Sequence, residues 1–296
     1  MRKLFFALCA LLSAATLFAA AACGTTGSRQ TKVYLDCVTA DGAAELAAAS
    51  CVSILSGTVD PSSRVLRYEY FSGVIVDSAG YVLTTADAAA RDGGERSFVY
   101  AVLPELYGTK ATHRLDVVAY DGGAGLAVLR FRDAIYHYTD EQHTAAADGF
   151  PVWACLRDAS VTVGEKCLSA GNSLGALLNA ANSLQSAAAY VQPALTGGIV
   201  SAEGGDFGAA AYGGSQYPYY AVSAPVGPEM LGGGVFDADG YLIGLAANKL
   251  YSPDGDAIAR LSLVHGVPLL TTFLDGVSAA KQTVIPYTIA SDEVNA

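Results

Sequence analysis

Short apolar runs, each cut off within a few residues by Gly, Asp or Pro, restrict this chain more than any other feature. The segment "FSGVIVDSAGYVLTTADAAA" (71–90) sets the pattern. Val74, Ile75 and Val76 run into the turn Asp77-Ser78-Ala79-Gly80, and Tyr81 to Thr84 run back, a hairpin with Gly placed to take positive φ. Further strands are expected at "CVSILSG", "RSFVYAVLP", "HRLDVVAYD", "GLAVLRF", "PVWACLR", "EKCLSAG", "TGGIVSA", "YYAVSA" and "GGVFDADGYLIGLAAN". Many short strands with regular turn signals point to an all-β sandwich or barrel pair. Helices are expected only at "AAELAAAS", "ALLNAANSLQSAAAY" and near "VPLLTTFLDGV". No repeat of fixed period is visible. The last residues, "PYTIASDEVNA", read as a frayed tail.

The 296 residues are 52% apolar and 15% charged, which suits a packed core rather than disorder. A net charge of −11 leaves no basic stripe to neutralise phosphates, so a nucleic-acid partner is excluded. Arg2 and Lys3 precede the apolar run "LFFALCALLSAATLFAAAAC", which reads as a secretory signal. Ala20, Ala21 and Ala22 before Cys23, with Gly24 after it, resemble the lipobox of bacterial lipoproteins. That resemblance implies lipidation at Cys23 and a lipid-anchored protein of the bacterial cell envelope; ordinary cleavage after Ala22 or an uncleaved anchor are the alternatives. The organisation expected is a signal over 1–23, a tether over 24–43, a folded domain over 44–275 and a tail over 276–296. Residues 24–296 carry 15 basic and 28 acidic side chains, about −13.

Export gives four cysteines a meaning. Cys37, Cys51, Cys155 and Cys167 are an even set in an oxidising compartment and read as disulfides, with proximity favouring Cys37–Cys51 and Cys155–Cys167. No CxxC pair or His/Cys cluster suggests a metal, and no cofactor motif is present.

The stretch "APVGPEMLGGGVFDADGYLIG" (224–244) sets Met230 and Leu231 against Gly232-Gly233-Gly234. Glycines cost the most backbone entropy to order, so three together mark a tight turn or a close approach. In chain order, five segments resemble HtrA-type trypsin-like serine proteases over about residues 44–275. "FSGVIVDSAGYVLTTADAAA" is similar to "GSGVIIDKDGYIVTNNHVV", and "DVVAYDGGAGLAVLRF" to "KVVGTDPRTDLAVLKI". "VGEKCLSAGNSLG" is similar to "VGDFVLAIGNPFG", "TGGIVSA" to "TSGIVSA", and "GPEMLGGGVFDADGYLIG" to "NPGNSGGALVNLNGELIG". The resemblance implies an all-β fold of two six-stranded antiparallel barrels with a few short helices and a cleft between the barrels. It also implies that Asp87 stands at the position of the histidine base, Gly125 at that of the orienting aspartate and Leu231 at that of the serine nucleophile. Glu229 stands where a glycine supplies an oxyanion donor. Too little chain follows residue 275 for the PDZ domain common in that family.

Leucine has no nucleophilic atom, and loss of a triad costs ~10⁶ in turnover. The expectation is a pseudoprotease that binds a peptide or an extracytoplasmic protein without cutting it, the cleft floored by Met230, Leu231, Gly232 and Gly233. Two enzymatic alternatives stand beside it. "GNSLG" (171–175) satisfies the G-x-S-x-G elbow, which would make Ser173 a nucleophile with Asp254 and His265 downstream, although no alternation of strand and helix builds the parallel sheet of such a hydrolase. A serine endopeptidase with a non-standard site would need one of His113, His137, His143 or His265 as a substitute base. The "DADG" turn (237–240) lacks the downstream glutamate of a calcium loop. Tyr212, Tyr217, Tyr219 and Tyr220 fit either a recognition surface or barrel strands.

Overall fold

The computed structural model describes residues 29–30, 40–59, 66–91, 94–103, 112–132, 136–139, 142–145, 150, 152–158, 160–172, 193–203, 219–251 and 257–290. The expected hairpin at 71–90 is present. Asp77 Oδ1 accepts the Ala79 N–H at 2.6 Å, and Gly80 takes φ +82°, so the chain reverses without steric cost. The same device closes the Asp237–Gly240 turn: Asp237 Oδ1 accepts from Asp239 and Tyr241, and Gly240 sits at φ +85°.

Twelve strands build two closed barrels. In the first, β1 (Cys51–Val59), β2 (Leu66–Ile75), β3 (Tyr81–Thr85), β4 (Phe98–Val102), β5 (Thr112–Asp121) and β6 (Leu126–Phe131) close in the order β1-β2-β3-β6-β5-β4. In the second, β7 (Lys166–Asn172), β8 (Pro193–Glu203), β9 (Tyr219–Val222), β10 (Gly234–Asp237), β11 (Leu242–Tyr251) and β12 (Ala257–Gly266) run β7-β8-β9-β12-β11-β10, with β10 pairing back to β7. Every pairing within the barrels is antiparallel. Closure removes the exposed strand edges that an open sheet would leave.

Alternation along the strands fills three apolar clusters. Val52, Ile54, Ile75, Val82 and Leu129 occupy the first barrel. Val200, Val222, Val235, Ile243 and Val264 occupy the second. A third cluster holds Val74, Leu83, Leu126, Phe236, Leu242 and Leu245 with Leu270, Phe273 and Leu274 of helix α3 (Val267–Lys281), so it welds the two barrels and the helix. Helix α1 (Ala40–Ser50) adds Ala47 to it. A third, one-turn helix, α2 (Ala86–Ala89), follows β3.

Several expectations are corrected. The C-terminal region is not a tail from residue 276. Helix α3 runs to Lys281, and Tyr287–Ala290 is a buried strand that pairs in parallel with Cys155–Arg157 and with Arg29–Gln30. Helix α1 begins at Ala40, inside the stretch read as tether. The expected Cys155–Cys167 and Cys37–Cys51 disulfides are not formed: Cys51 and Cys167 carry buried free thiols. Cys51 lies in the inter-barrel cluster and Cys167 inside the second barrel. Burial pushes the Cys51 thiol up to about 12 and that of Cys167 to about 11, which disfavours the thiolate form. Cys23 and Cys37 lie outside the described residues, as does the expected helix at 176–190. Tyr219 and Tyr220 are buried in β9, which makes them barrel residues rather than a recognition surface; Tyr212 and Tyr217 lie outside the described residues. Among the described residues no helix is long and apolar enough to cross a membrane.

His265 on β12 is buried against the Tyr219 ring, and desolvation holds its imidazole at about 4. Above the unfolded value near 6.5 both states are neutral; below it only the unfolded chain gains the proton, so stability falls as pH drops from 6.5 toward 4. Urea titrations should lose ~1 kcal/mol per pH unit between pH 6 and 5, and His265→Phe should flatten that slope.

Candidate functional site

Ser72 on β2 is the hinge pin of the region where the barrels meet. Its N–H donates to the Leu231 carbonyl at 2.9 Å, and its hydroxyl donates to the Glu229 carbonyl at 2.8 Å. The same hydroxyl accepts the Asn172 N–H at 2.7 Å, and the Ser72 carbonyl accepts from Thr84 Oγ1 at 2.7 Å. One side chain of the first barrel thereby fixes β7 and the 229–231 turn of the second. Ser72 is fully buried, so these bonds face no competition from water.

Close approach explains the glycines. Gly232 has φ +83°, and a Cβ there would stand 2.4 Å from both the Ser72 carbonyl oxygen and Thr84 Oγ1. At Gly233 it would stand 2.3 Å from the Ala170 carbonyl oxygen. A side chain at Gly232 would force the barrels apart, and one at Gly233 would collide with β7 of its own barrel.

The turn ahead of these glycines is a single 3₁₀ turn, Pro228–Met230. Met230 N–H donates to the Gly227 carbonyl at 3.0 Å and Leu231 N–H to that of Pro228 at 3.4 Å, while Gly233 N–H donates to Met230. The N–H groups of Met230 and Leu231 are therefore spent inside the turn and that of Gly232 on the Ala246 carbonyl of β11 at 2.8 Å, so the Leu231 N–H is not aimed at an incoming carbonyl. Glu229 is buried, with a carboxylate oxygen lying 3.2 Å from where a Cβ on Gly227 would be. Met230 is only 3% exposed and packs inside the second barrel, so it does not floor an open cleft as expected from the sequence. Leu231 is half-buried against the same cluster; Gly232 and Gly233 are buried.

Asp87 is exposed in the first turn of α2. Its backbone is clamped: Arg96 donates to the Asp87 carbonyl through Nε at 3.1 Å and Nη2 at 2.9 Å. The Arg96 guanidinium also pairs with Glu69, which binds Arg91 as well, and lies over the Phe71 ring. Gly125 accepts the Ala86 N–H at 3.0 Å, so positions 125 and 86–87 are neighbours. Gly125 has φ +71°, a left-handed conformation that glycine adopts without steric cost. Gly232 lies against Thr85, the residue that opens α2, with a Cβ there 2.9 Å from the Thr85 nitrogen. These contacts set the segment 85–87, Gly125 and the turn that ends at Gly232 side by side along the seam between the barrels.

Of the alternative constellation only His265 is among the described residues. His265 is 1% exposed, on the face of β12 opposite Val264 and against Tyr219, and the double barrel removes the parallel sheet that an elbow serine requires. Ser173 and Asp254 lie outside the described residues, as do the side chains of His137 and His143. His113 is half-buried on β5, edge-on to Phe131. Among the described residues no group of His, Cys, Asp and Glu could hold a metal. Sequence reasoning missed Ser72 and Arg96. Ser72 was within reach, because it opens the matched "SGV" segment; nothing local marks Arg96.

The trypsin-like peptidase domain family matches residues 71–245, more than half of the chain, and the chain belongs to it. No curated protein matches it. Among solved structures it is similar to the HtrA-type protease AlgW with a tripeptide, at 20% identity and a TM-score of 0.58 over 83% of this chain and 65% of that one. It is also similar to AlgW with a decapeptide, at 20% identity and a TM-score of 0.56 over 82% and 68%. The chain therefore spans about two thirds of their length, and at this identity the likeness shows the fold alone.

Removing the Ser72 hydroxyl strands a buried carbonyl and a buried N–H. Ser72→Ala should cost about 2–3 kcal/mol in urea unfolding. Gly232→Ala, which adds a left-handed penalty to the clash, should cost more than Ser72→Ala in the same assay.

Proposed function

We propose that this chain is an exported, lipid-anchored, trypsin-like domain of HtrA type that holds an extended peptide or protein segment without cleaving it. The observation that carries this reading is the seam itself. The turn that would bear a nucleophile is kept, with its glycines and its Ser72 bonds, but presents Leu231 there and spends the flanking N–H groups internally.

Two described hydroxyls at the seam are already engaged. Ser72 Oγ is buried and engaged as both donor and acceptor, and Thr84 Oγ1 donates to the Ser72 carbonyl. A carboxylate at Asp87 has no nucleophile to activate, and Gly125 has no side chain to orient one. Binding asks less of the site: the solved AlgW structures hold peptides, and an extended chain gains affinity from backbone hydrogen bonds that do not depend on a triad. The anchor rests on Cys23 behind Ala20-Ala21-Ala22 and an apolar leader.

The decisive experiment treats folded protein with a fluorophosphonate and, separately, with a fluorescein-labelled unstructured polypeptide. The expected result is no covalent adduct by mass spectrometry and no cleavage, together with saturable binding by anisotropy that Leu231→Asp weakens at least fivefold. An adduct on any serine, Ser173 included, would make the chain a hydrolase. Absence of binding would leave the fold without the proposed role.

A further inference from the structure

Resting on the lipid-anchor reading, we infer that the exposed loop after α3, residues 281–284, is seated on the bilayer that the Cys23 lipid enters, because the short connection holds this end of the domain against it.

The carrying observation is the parallel pairing of Arg29↔Tyr287 and Gln30↔Thr288. It stitches the chain to the domain only six residues after Cys23. Six residues span at most about 20 Å even when fully extended. A domain of ~250 residues has a radius of gyration of roughly 18 Å and hence a diameter of about 45 Å, so the leash is less than half as long as the body it holds is wide. Were Ala40 of α1 the first attachment, seventeen residues would reach about 60 Å and the domain would turn freely. The Tyr287–Ala290 strand removes that freedom.

What lies beside the attachment suits a lipid surface. Lys281, Gln282, Thr283 and Val284 are all exposed, and Val284 is among the most exposed large apolar residues described, at 47%. The loop is rigidly held. Gln282 takes the left-handed conformation at φ 51° and donates to the Ala279 and Ser278 carbonyls. Ser278 Oγ accepts the Ile285 N–H at 3.0 Å, and Tyr287 donates its hydroxyl to Asp275 at 2.8 Å. A fixed loop bearing a lysine and an outward valine loses little entropy on contact, and the lysine stem can lie along the interface with its ammonium at the headgroups. The chain's net charge of −11 gives no general attraction to an anionic membrane, so the short leash must supply the local concentration.

The test uses the full chain, processed in bacterial cells, with Cys37→Ser and a single nitrobenzoxadiazole label at Val284→Cys or, as control, at Val59→Cys. Val59 is exposed at the end of β1, the opposite end of that strand from Cys51 in the inter-barrel cluster. Protein is reconstituted in phosphatidylethanolamine/phosphatidylglycerol vesicles containing doxyl-labelled lipid. Quenching at position 284 should exceed that at 59 at least threefold, and a twenty-residue Gly/Ser insert between Ser28 and Arg29 should abolish the difference. Protein that floats with the vesicles but shows equal quenching at both positions, or a difference the insert does not change, overturns this inference and leaves the anchor standing. Protein that fails to float overturns the anchor reading and this inference with it.

Discussion

The contact between Ser72 and the 229–231 turn is the constraint on which the rest depends. Each barrel closes on its own hydrogen bonds, but the two must be set against each other, and apolar packing is too permissive to fix that relation to a fraction of an ångström. Ser72 supplies direction: it ties Leu231, Glu229 and Asn172 of the second barrel to one strand of the first. Gly232 and Gly233 supply the clearance that lets it reach. The inter-barrel cluster, with α3 laid across it, then supplies most of the burial.

The two barrels repeat one topology. If the first reads 1-2-3-6-5-4, the second reads the same from β7, yet no repeat of fixed period shows in the sequence. Strand pairing constrains only which positions point inward, and many apolar residues satisfy an inward position. The two interiors therefore share no wording. Val52, Ile54 and Leu129 fill one barrel, and Val200, Tyr220 and Ile243 fill the other.

A scaffold of this kind separates framework from chemistry. The framework resides in backbone bonds, the Ser72 hydroxyl and glycine clearances, none of which uses the side chains at 87 or 231. Those positions are therefore free to change while the turn around them stays in place. Arg96 illustrates the separation: it grips the Asp87 carbonyl, so the turn is held whichever side chain occupies the position. The cysteines teach the converse. Their even number suggested disulfides, but number says nothing of place, and Cys51 and Cys167 lie in different clusters where burial keeps their thiols protonated.

The sequence by itself determined the turns, and through them the hairpins. Asp77 with Gly80 and Asp237 with Gly240 are local devices whose hydrogen bonds span a few residues, so they were legible without any fold. It also determined what chemistry positions 125 and 231 can carry, because a leucine or glycine has no titratable atom in any setting. Only the tertiary structure decided what depends on distant chain. It buried Met230 and His265, engaged Ser72 with residues 100 and more positions away, and turned an apparent tail into the strand Tyr287–Ala290. The physical reason is common to all of these: burial and cross-barrel hydrogen bonds are properties of neighbours in space, and closure of a barrel chooses those neighbours from strands far apart in sequence.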